Sequence, residues 1–146
     1  MSPNNGIVRE LLQKAHAVRD RAEHYGGFNV GCIGYYSDPS SEGTRIVIEG
    51  ANTKYRPTDR PDCAEMKVMR DAEERGVVLE GMVIVGVPRK EDTTKTLHPC
   101  GERCRPLMER YLKKSTAVSA STHITCVNAL NGDVEEFTVK ELLELR

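Results

Sequence analysis

Two short motifs contain the residues whose types and spacing could carry chemistry. Residues 63–65 read Cys-Ala-Glu, and residues 99–104 read Pro-Cys-Gly-Glu-Arg-Cys. Each motif opens a segment whose pattern predicts a helix. A helix N-terminus favours a thiolate over a thiol, because it presents unpaired N–H groups and a partial positive charge. Two such helix starts side by side would bring three thiolates to one point.

Three thiolates suit Zn²⁺, which accepts sulfur ligands at tetrahedral angles. With Cys63, Cys100 and Cys104 as ligands, the fourth position is left for water, as is typical of catalytic zinc. Bound zinc lowers the pKa of such a water from about 15.7 toward about 7 and yields hydroxide at neutral pH. Glu65 would then lie beside the metal without binding it, where it can accept the proton of the water and pass it to a leaving group.

The main alternative is a closed structural site of four cysteines, completed by Cys32 or Cys126. Both lie in apolar strand patterns, which are typical of small buried core residues. His98 could also approach the metal, although a residue before proline usually forms extended backbone. A second class of function is a non-catalytic, zinc-stabilised binding module. Such a module needs no acid beside an open coordination position of the zinc, so Glu65 discriminates between this module and a catalytic zinc site. The other histidines are expected at the surface or at an edge: His16, His24 and His123.

Composition favours a cytoplasmic protein. The five cysteines are odd in number and unevenly spaced, which argues against a disulfide framework. Residues 1–5 have neither the basic start nor the apolar stretch of a secretory signal. All apolar runs are shorter than the roughly 20 residues of a membrane helix. A net charge of −1 with 5% aromatic residues argues against nucleic-acid binding.

The elements that must position the motifs alternate between helices and strands. Apolar periodicity and end signals predict four helices, over 5–25, 62–75, 99–114 and 139–145. The last of these opens with a capping box, Thr-Val-Lys-Glu. Short β-branched or apolar runs predict five strands, over 28–36, 45–50, 82–87, 122–127 and 135–137.

This order predicts a three-layer α/β/α fold around a mixed five-stranded sheet, because helices separated by strands cover both faces of a sheet. The first two strands are expected to pair antiparallel. Asn131-Gly132 is a tight-turn signal, which makes the last two strands antiparallel neighbours. Since no linker, repeat or low-complexity segment is visible, residues 1–146 are predicted to form one domain.

The two motifs resemble those of the zinc-dependent cytidine deaminase family, whose signature pairs Cys/His-x-Glu with Pro-Cys-x-x-Cys. The resemblance extends over nearly the whole chain. Residues 28–31 are similar to the Phe-Pro-Val-Gly that starts the family's first strand, and residues 139–143 to its C-terminal helix. The small homotetrameric branch, which includes blasticidin S deaminases, is similar in length. The resemblance implies a cytidine deaminase-like fold, a homotetramer and a hydrolase of nucleoside metabolism that acts on C–N bonds in cyclic amidines.

The resemblance also implies a role for each motif residue. The three cysteines of the motifs would bind zinc, and hydroxide would attack the amino-bearing carbon of the substrate. Glu65 would protonate the ring nitrogen and then the departing ammonia. Three thiolates leave the zinc site negatively charged, which a cation hydrogen-bonded to the sulfurs would offset. Arg105, directly after Cys104, matches the family's arginine and is the implied cation.

Substrate contacts follow from the same resemblance. Phe28 would pack against the base, and Asn52 would contact the sugar. The N–H of Ala64 and the carbonyl region of Cys100 would read the pyrimidine edge. The implied substrate is an amino-pyrimidine nucleoside or a related amino-heterocycle.

Two departures from the family pattern bear on the site. The second motif has three residues between its cysteines instead of two. Because i,i+3 and i,i+4 positions share a helix face, chelation would survive with a bulge or a shifted register. The family's Asn-x-Glu-Asn substrate motif reads Asn-Thr-Lys-Tyr at 52–55, which puts Lys54 and Tyr55 among the expected substrate contacts.

Lys54 stands where the family has the glutamate that binds a ribose hydroxyl. An ammonium can only donate hydrogen bonds. With Arg56 and Arg60 it would favour an anionic or acceptor group, or a substrate without ribose. The alternative substrates are a modified nucleoside, a nucleoside antibiotic, a free base and a nucleotide. A solvated basic loop is the other interpretation of these three residues.

Overall fold

The computed structural model of the chain describes residues 5–38, 40, 43–88 and 94–145. Its elements in chain order are α1 (Asn5–Arg19), β1 (Glu23–His24), β2 (Gly31–Ser37), β3 (Arg45–Ala51), β4 (Thr53–Lys54), α2 (Ala64–Arg75), β5 (Gly81–Gly86), α3 (Cys104–Lys113), β6 (His123–Asn128), β7 (Val134–Thr138) and α4 (Val139–Glu144). In these residues no helix combines the length and the apolar character needed to cross a membrane.

The main sheet has five strands in the order β3-β2-β5-β6-β7. Strand β2 pairs antiparallel with both β3 and β5, β5 pairs parallel with β6, and β6 pairs antiparallel with β7. The predicted mixed five-stranded sheet and both antiparallel pairs are therefore confirmed. All of β5 is buried, as its uninterrupted apolar run predicts.

Helices cover both faces of this sheet, which confirms the three-layer α/β/α fold. Alternate side chains of a strand point to opposite faces. On β5, Met82 and Ile84 join the core formed with α2, α3 and α4, whereas Val83 and Val85 join the core formed with α1. The N-termini of α2 and α3, which carry the two motifs, thus belong to the same layer.

Helix α1 approaches β2 so closely that only glycine fits at the start of the strand. A Cβ on Gly31 would lie 2.5 Å from the backbone nitrogen of Arg19 and 2.6 Å from the carbonyl oxygen of Ala15. The C-terminal end of α1 therefore lies beside residues 28–30, where substrate contacts are expected from the sequence.

The first helix is shorter than predicted, and the expectation that it continues to residue 25 is wrong. Helix α1 ends at Arg19, and residues 20–21 form a turn. The next residues, Glu23 and His24, form the short strand β1, which pairs parallel with Thr53 and Lys54 of β4. Backbone pairing with the distant 53–54 segment thus outweighs the helical periodicity of 20–25.

The third helix begins at Cys104, so the predicted start at residue 99 is also wrong. Residues 101–103 form a turn in front of it. Helix α2 ends at Arg75, as predicted, with Gly76 in the left-handed conformation (φ 70°). The predicted capping box of α4 is confirmed by reciprocal bonds between Thr138 and Glu141.

Two predicted loops lie partly outside the described residues. The turn predicted over 37–43 includes 39, 41 and 42, and the polar loop predicted over 88–98 includes 89–93. The loop predicted over 51–62 contains the short strand β4. The turn at Asn131-Gly132 is confirmed, with Gly132 at φ 79° between β6 and β7.

Candidate active site

The two motifs meet where α2 and α3 begin. Cys63 is the N-cap residue of α2, with extended backbone (φ −71°, ψ 146°). Its carbonyl accepts the N–H of Lys67 at 3.1 Å, the first bond of the helix. Cys104 is the first residue of α3, and Cys100 precedes it in the turn.

The three cysteine sulfurs form a compact cluster, as the motifs predict. They lie within 4.8 Å of one another, and the sulfurs of Cys100 and Cys104 are 3.6 Å apart. Tetrahedral zinc with Zn–S bonds of about 2.3 Å requires sulfurs about 3.8 Å apart. The residues that the structure describes contain no other such cluster of His, Cys, Asp or Glu side chains. Donor type and spacing therefore both fit Zn²⁺.

The longer spacing of the second motif is absorbed in the turn, and not by a bulge within a helix. The Cys100 sulfur accepts the backbone N–H of Cys104 at 3.4 Å, and the Cys100 carbonyl accepts that of Arg105 at 3.0 Å. The expectation that the two cysteines share a helix face is thus wrong, because the first of them lies outside the helix. Their chelating geometry is retained by these two bonds.

Contacts among the thiols separate their pKa values. Hydrogen bonds from Cys104 and then from Cys63 hold the pKa of Cys100 well below its ordinary value. The same contact with Cys100 raises the pKa of Cys104 and raises the pKa of Cys63 to about 12. Negative charge therefore collects first on Cys100, whose sulfur also faces the unpaired N–H groups of α3.

Glu65 lies in the first turn of α2 with only 4% of its surface exposed. Its Oε2 accepts a hydrogen bond from the Cys104 thiol at 3.5 Å. Desolvation by burial raises the pKa of Glu65 to about 7. A carboxyl group with such a pKa holds and releases a proton near neutral pH, as a general acid–base group requires.

A cavity of about 420 Å³ opens over this cluster. Its volume lies in the range that accommodates a small organic ligand. Nine of the residues singled out from the sequence line it: Phe28, Asn52, Lys54, Cys63, Ala64, Glu65, Cys100, Cys104 and Arg105. The structure thus brings together all of the predicted site residues except Tyr55.

Asn52 joins the two segments that carry expected substrate contacts. Its Oδ1 accepts the Val30 N–H at 2.7 Å, and its Nδ2 donates to the Phe28 carbonyl at 2.7 Å. Asn52 therefore holds the 28–30 segment in the cavity wall. Its contact with a sugar stays a prediction.

Of the basic loop residues, only Lys54 lines the cavity. Its Nζ lies 5.7 Å from the centre of the Tyr25 ring, within the range of a cation–π contact. The side chain of Arg56 is largely exposed and pairs with Asp59 at 3.4 Å. Tyr55 is 62% exposed and lies outside the cavity wall, so its substrate contact remains a prediction.

Arg105 fastens the Cys100 turn to the C-terminal part of the chain. Its Nε donates to the Pro99 carbonyl at 3.0 Å, and its Nη1 donates to the Leu145 carbonyl at 3.1 Å. Neither bond goes to a sulfur, and the implied bond to the thiolates stays a prediction. Cys32 and Cys126 are fully buried in the core, as their apolar patterns predict.

Further residues of the cavity wall were not expected there from the sequence, among them His24, His98 and Arg103. His24 was expected at the surface or at an edge; it lies partly buried on the edge strand β1, which also brings it to the cavity, and its ring stacks on Tyr25. The backbone pairing of β1 with β4 has no periodic signal in the sequence. His98 was considered only as an approach to the metal, whereas its Nε2 lies 3.1 Å from Glu135 Oε1.

Residues 7–120 match the family described as "Cytidine and deoxycytidylate deaminase zinc-binding region". A search of curated proteins gives no significant match. Among solved structures, cytidine deaminase from Burkholderia pseudomallei is 23% identical, with a TM-score of 0.71 over 94% of this chain and 96% of that one. Cytidine deaminase from Mycobacterium leprae is 23% identical, with a TM-score of 0.63 over 93% and 96%. At this identity the likeness to the solved structures establishes a shared fold.

Proposed function

Because the chain belongs to the zinc-binding cytidine and deoxycytidylate deaminase family, whose members are hydrolases acting on C–N bonds, we propose that it deaminates an amino-pyrimidine nucleoside or a related amino-heterocycle. One observation carries the proposal. The buried carboxyl of Glu65 and three clustered cysteine sulfurs face one cavity, with Glu65 Oε2 3.5 Å from the Cys104 sulfur. This combination supplies a metal site and a proton carrier at the same point.

Each residue has a distinct role in the proposed reaction. Cys63, Cys100 and Cys104 would hold zinc, which when bound supplies a Lewis acid and a water of lowered pKa. Glu65 accepts the proton of the attacking water at Oε2 and delivers it to the ring nitrogen. It then carries the second proton to the amine, so that the C–N bond breaks and ammonia leaves while the oxygen stays on carbon. Arg105 would offset the charge of the sulfurs.

Substrate orientation is assigned to other residues of the cavity wall. Phe28 would pack against the base, and the Ala64 N–H would read its edge. Asn52, which already holds the 28–30 segment, would contact the sugar. Tyr55 is proposed as a further substrate contact because it belongs to the motif at 52–55, although it is 62% exposed outside the cavity wall.

A non-catalytic zinc-stabilised module is the alternative of another class. A closed structural site would use a fourth protein ligand, but the described residues supply three. Such a module would also have no use for a buried carboxyl beside an open position. Burial of an acid without a charged partner costs stability, and the proposed proton transfer gives a reason for it.

The substrate is tested with a panel of amino-pyrimidines and amino-purines, each with and without sugar and phosphate. Ammonia release by the zinc-loaded protein is the measurement. Release from cytidine identifies the plain nucleoside, and release only from other members identifies a modified nucleoside, nucleoside antibiotic, free base or nucleotide. No release from any member, at full zinc occupancy, would overturn the proposed function.

The proposal also covers domain organisation, assembly and compartment. One domain over 1–146 is supported by the main sheet, which joins β2, β3, β5, β6 and β7. A homotetramer is supported by the resemblance to the small branch and by exposed apolar side chains: Val78, Leu130, Val134 and Leu145. An active monomer in sedimentation would contradict the homotetramer.

Five free thiols support a location in the reducing cytoplasm.

A further inference from the structure

Residues 28–30 form part of the cavity wall without belonging to a strand. They connect β1 to β2, and Phe28 and Val30 both line the cavity. Two glycines, Gly26 and Gly27, precede them, and Gly27 has a positive φ of 76°. Glycine gives the backbone more conformational freedom than other residues do. The position of this wall therefore depends on contacts from elsewhere in the chain.

Asn52 supplies most of these contacts. Its Oδ1 accepts the Val30 N–H at 2.7 Å, and its Nδ2 donates to the Phe28 carbonyl at 2.7 Å. Its backbone N–H donates to the Val30 carbonyl at 3.2 Å. The remaining carbonyl of the segment, that of Asn29, accepts a hydrogen bond from Arg19 Nε at 2.9 Å. All three carbonyls of 28–30 are thus hydrogen-bonded, two of them to Asn52.

Asn52 is itself fixed relative to the cysteine cluster. Only 7% of its surface is exposed. The next residue, Thr53, exchanges two backbone hydrogen bonds with Asp62, each at 3.0 Å. Asp62 directly precedes Cys63, the first of the proposed zinc ligands. Residues 52–53 therefore connect the wall at Phe28 to the start of the metal site.

Most of the hydrogen-bonding capacity of the Asn52 side chain serves this wall. An amide side chain offers one acceptor oxygen and two N–H donors, and the chain itself engages the oxygen and one N–H. Without the side chain, the Val30 N–H and the Phe28 carbonyl would lose their partners. Buried polar groups without partners cost free energy, so the segment would move to satisfy them and would displace the Phe28 ring.

We propose that Asn52 is a positioning residue for the base: through its bonds to 28–30 it holds the Phe28 ring against the heterocycle, whether or not the substrate carries a sugar. This inference rests on the proposed function. It differs from the sugar contact proposed for Asn52, because that contact requires a ribose. The Phe28 ring also meets the His24 ring edge-on, with centres 5.9 Å apart. A wall that is held in place before binding need not be ordered by the ligand, so it raises the affinity for the base itself.

Ligands with and without ribose provide a test that is independent of turnover. Cytidine and its methyl analogue, in which a methyl group replaces the ribose, are titrated by calorimetry into zinc-loaded protein with the background substitution Glu65→Gln. In this background Asn52→Ala is expected to weaken the binding of both ligands about tenfold, since the loosened segment must be ordered when the base binds. A residue that acts only on the sugar would leave the affinity for the methyl analogue unchanged.

A second variant separates the two ends of the side chain. Asn52→Asp keeps an oxygen for the Val30 N–H, but its carboxylate has no N–H for the Phe28 carbonyl. Hydrogen exchange of the Val30 amide, measured by NMR without ligand, should stay slow in Asn52→Asp and become about tenfold faster in Asn52→Ala. Both variants should lose affinity for the methyl analogue, which assigns the effect to Phe28. Asn52→Asp also carries the test if Asn52→Ala does not fold.

Thr122 offers a matched control, because it makes the same two kinds of bond outside the cavity wall. It is 1% exposed, accepts the Ser119 N–H at 2.9 Å and donates to the Leu79 carbonyl at 2.7 Å. Thr122→Val removes both bonds and keeps the shape of the side chain. It should lower the Tm but change the affinity for either ligand less than about twofold. Losses of affinity that follow the Tm in both variants would show that Asn52 acts on stability alone.

A double-mutant cycle tests whether Asn52 acts through Phe28. Asn52→Ala should weaken binding of the methyl analogue in the presence of the Phe28 ring. In the Phe28→Ala background it should change this affinity less than about twofold, because the ring that it positions is already absent. Additive effects of the two substitutions would overturn the assignment to Phe28.

The outcomes separate this inference from the proposed function. A loss for cytidine alone, unchanged affinities, or no binding of either ligand would overturn the inference. If the wild-type protein releases ammonia from a member of the panel and Asn52→Ala keeps its affinity for the methyl analogue, the inference fails alone. If the binding pattern holds but no member of the panel is deaminated, the proposed function fails and the positioning role of Asn52 stands. Zinc content is measured for every variant.

Discussion

The sulfur of Cys100 accepts the backbone N–H of Cys104 at 3.4 Å. The sulfur of the first cysteine of the longer motif therefore satisfies the backbone N–H of the residue that begins α3. Unpaired N–H groups at a helix start stabilise a thiolate. One contact thus both accommodates three intervening residues and directs negative charge to a sulfur of the proposed zinc site.

Loss of any cluster cysteine should release the metal. Cys63→Ser, Cys100→Ser and Cys104→Ser each replace a thiolate by a hydroxyl, a poorer zinc ligand. We expect these variants to lose zinc during dialysis against a chelator, as measured by elemental analysis. Cys126→Ala is the control, because Cys126 is buried in the core outside the cluster and should affect stability but not zinc content. Full zinc retention by Cys100→Ser would contradict the ligand assignment.

Glu65→Gln should separate metal binding from catalysis. The amide keeps the size of the side chain but cannot carry the proton, so kcat should fall by about 10²–10⁴-fold. Zinc content should stay at the wild-type level, since the cysteines are untouched. Glu74→Gln, at an exposed position on the same helix, should leave kcat unchanged. A variant that keeps its rate would assign proton transfer to another group.

The close approach of α1 to β2 predicts a stability effect at Gly31. A Cβ there would lie within 2.6 Å of two backbone atoms of α1, so that the helix must move. Gly31→Ala should lower the free energy of unfolding by about 1–3 kcal/mol in urea titrations. Gly101→Ala is the matched control, because its Cβ would meet nothing within 4 Å. Equal stability of the two variants would show that α1 adjusts freely.

Much of the fold could be predicted because its elements follow local rules. The continuous apolar run of β5, the turn at Asn131-Gly132 and the capping box of Thr138 and Glu141 each have a local sequence signal. Strand β1 and the start of α3 could not be predicted in this way. Strand β1 depends on pairing with β4, and the start of α3 depends on the Cys100 sulfur, which accepts a backbone N–H of the helix.

The cluster of cysteines with Glu65 could also be predicted, since two helix starts carry it in contiguous motifs. The remaining cavity wall could not. His24 and His98 enter it from short segments whose positions are determined by tertiary contacts with Lys54 and Glu135. A histidine in a loop has no periodicity that would indicate which cavity it lines.

The contact of Glu135 with Thr96 and His98 predicts a pH-dependent contribution to stability. Since the pKa of Glu135 is lower in the folded chain than its ordinary value of 4.5, the ionised form is favoured by folding. Its contribution is complete above pH 4.5 and is lost as the pH falls through the folded pKa. The free energies of unfolding of wild type and Glu135→Gln should therefore differ at pH 7 and converge as the pH falls through the folded pKa of Glu135, while Glu136→Gln matches wild type throughout. A difference that persists at low pH would indicate packing and not ionisation.

Lys54 is expected to set substrate preference, because it is the one member of the basic loop cluster that reaches the cavity. A site built to bind a substrate hydroxyl gains selectivity of about 10⁴-fold or more from that contact, and an ammonium cannot accept the hydroxyl proton. We therefore expect a low kcat/KM for cytidine compared with a nucleotide, a free base or a modified nucleoside. Lys54→Glu should raise kcat/KM for cytidine, and Lys54→Met should lower it for substrates with an anionic group. Arg56→Met, which removes an exposed cation paired with Asp59, should change neither. If Lys54→Met leaves all relative rates unchanged and cytidine is an efficient substrate, Lys54 is only a solvated side chain at the edge of the cavity.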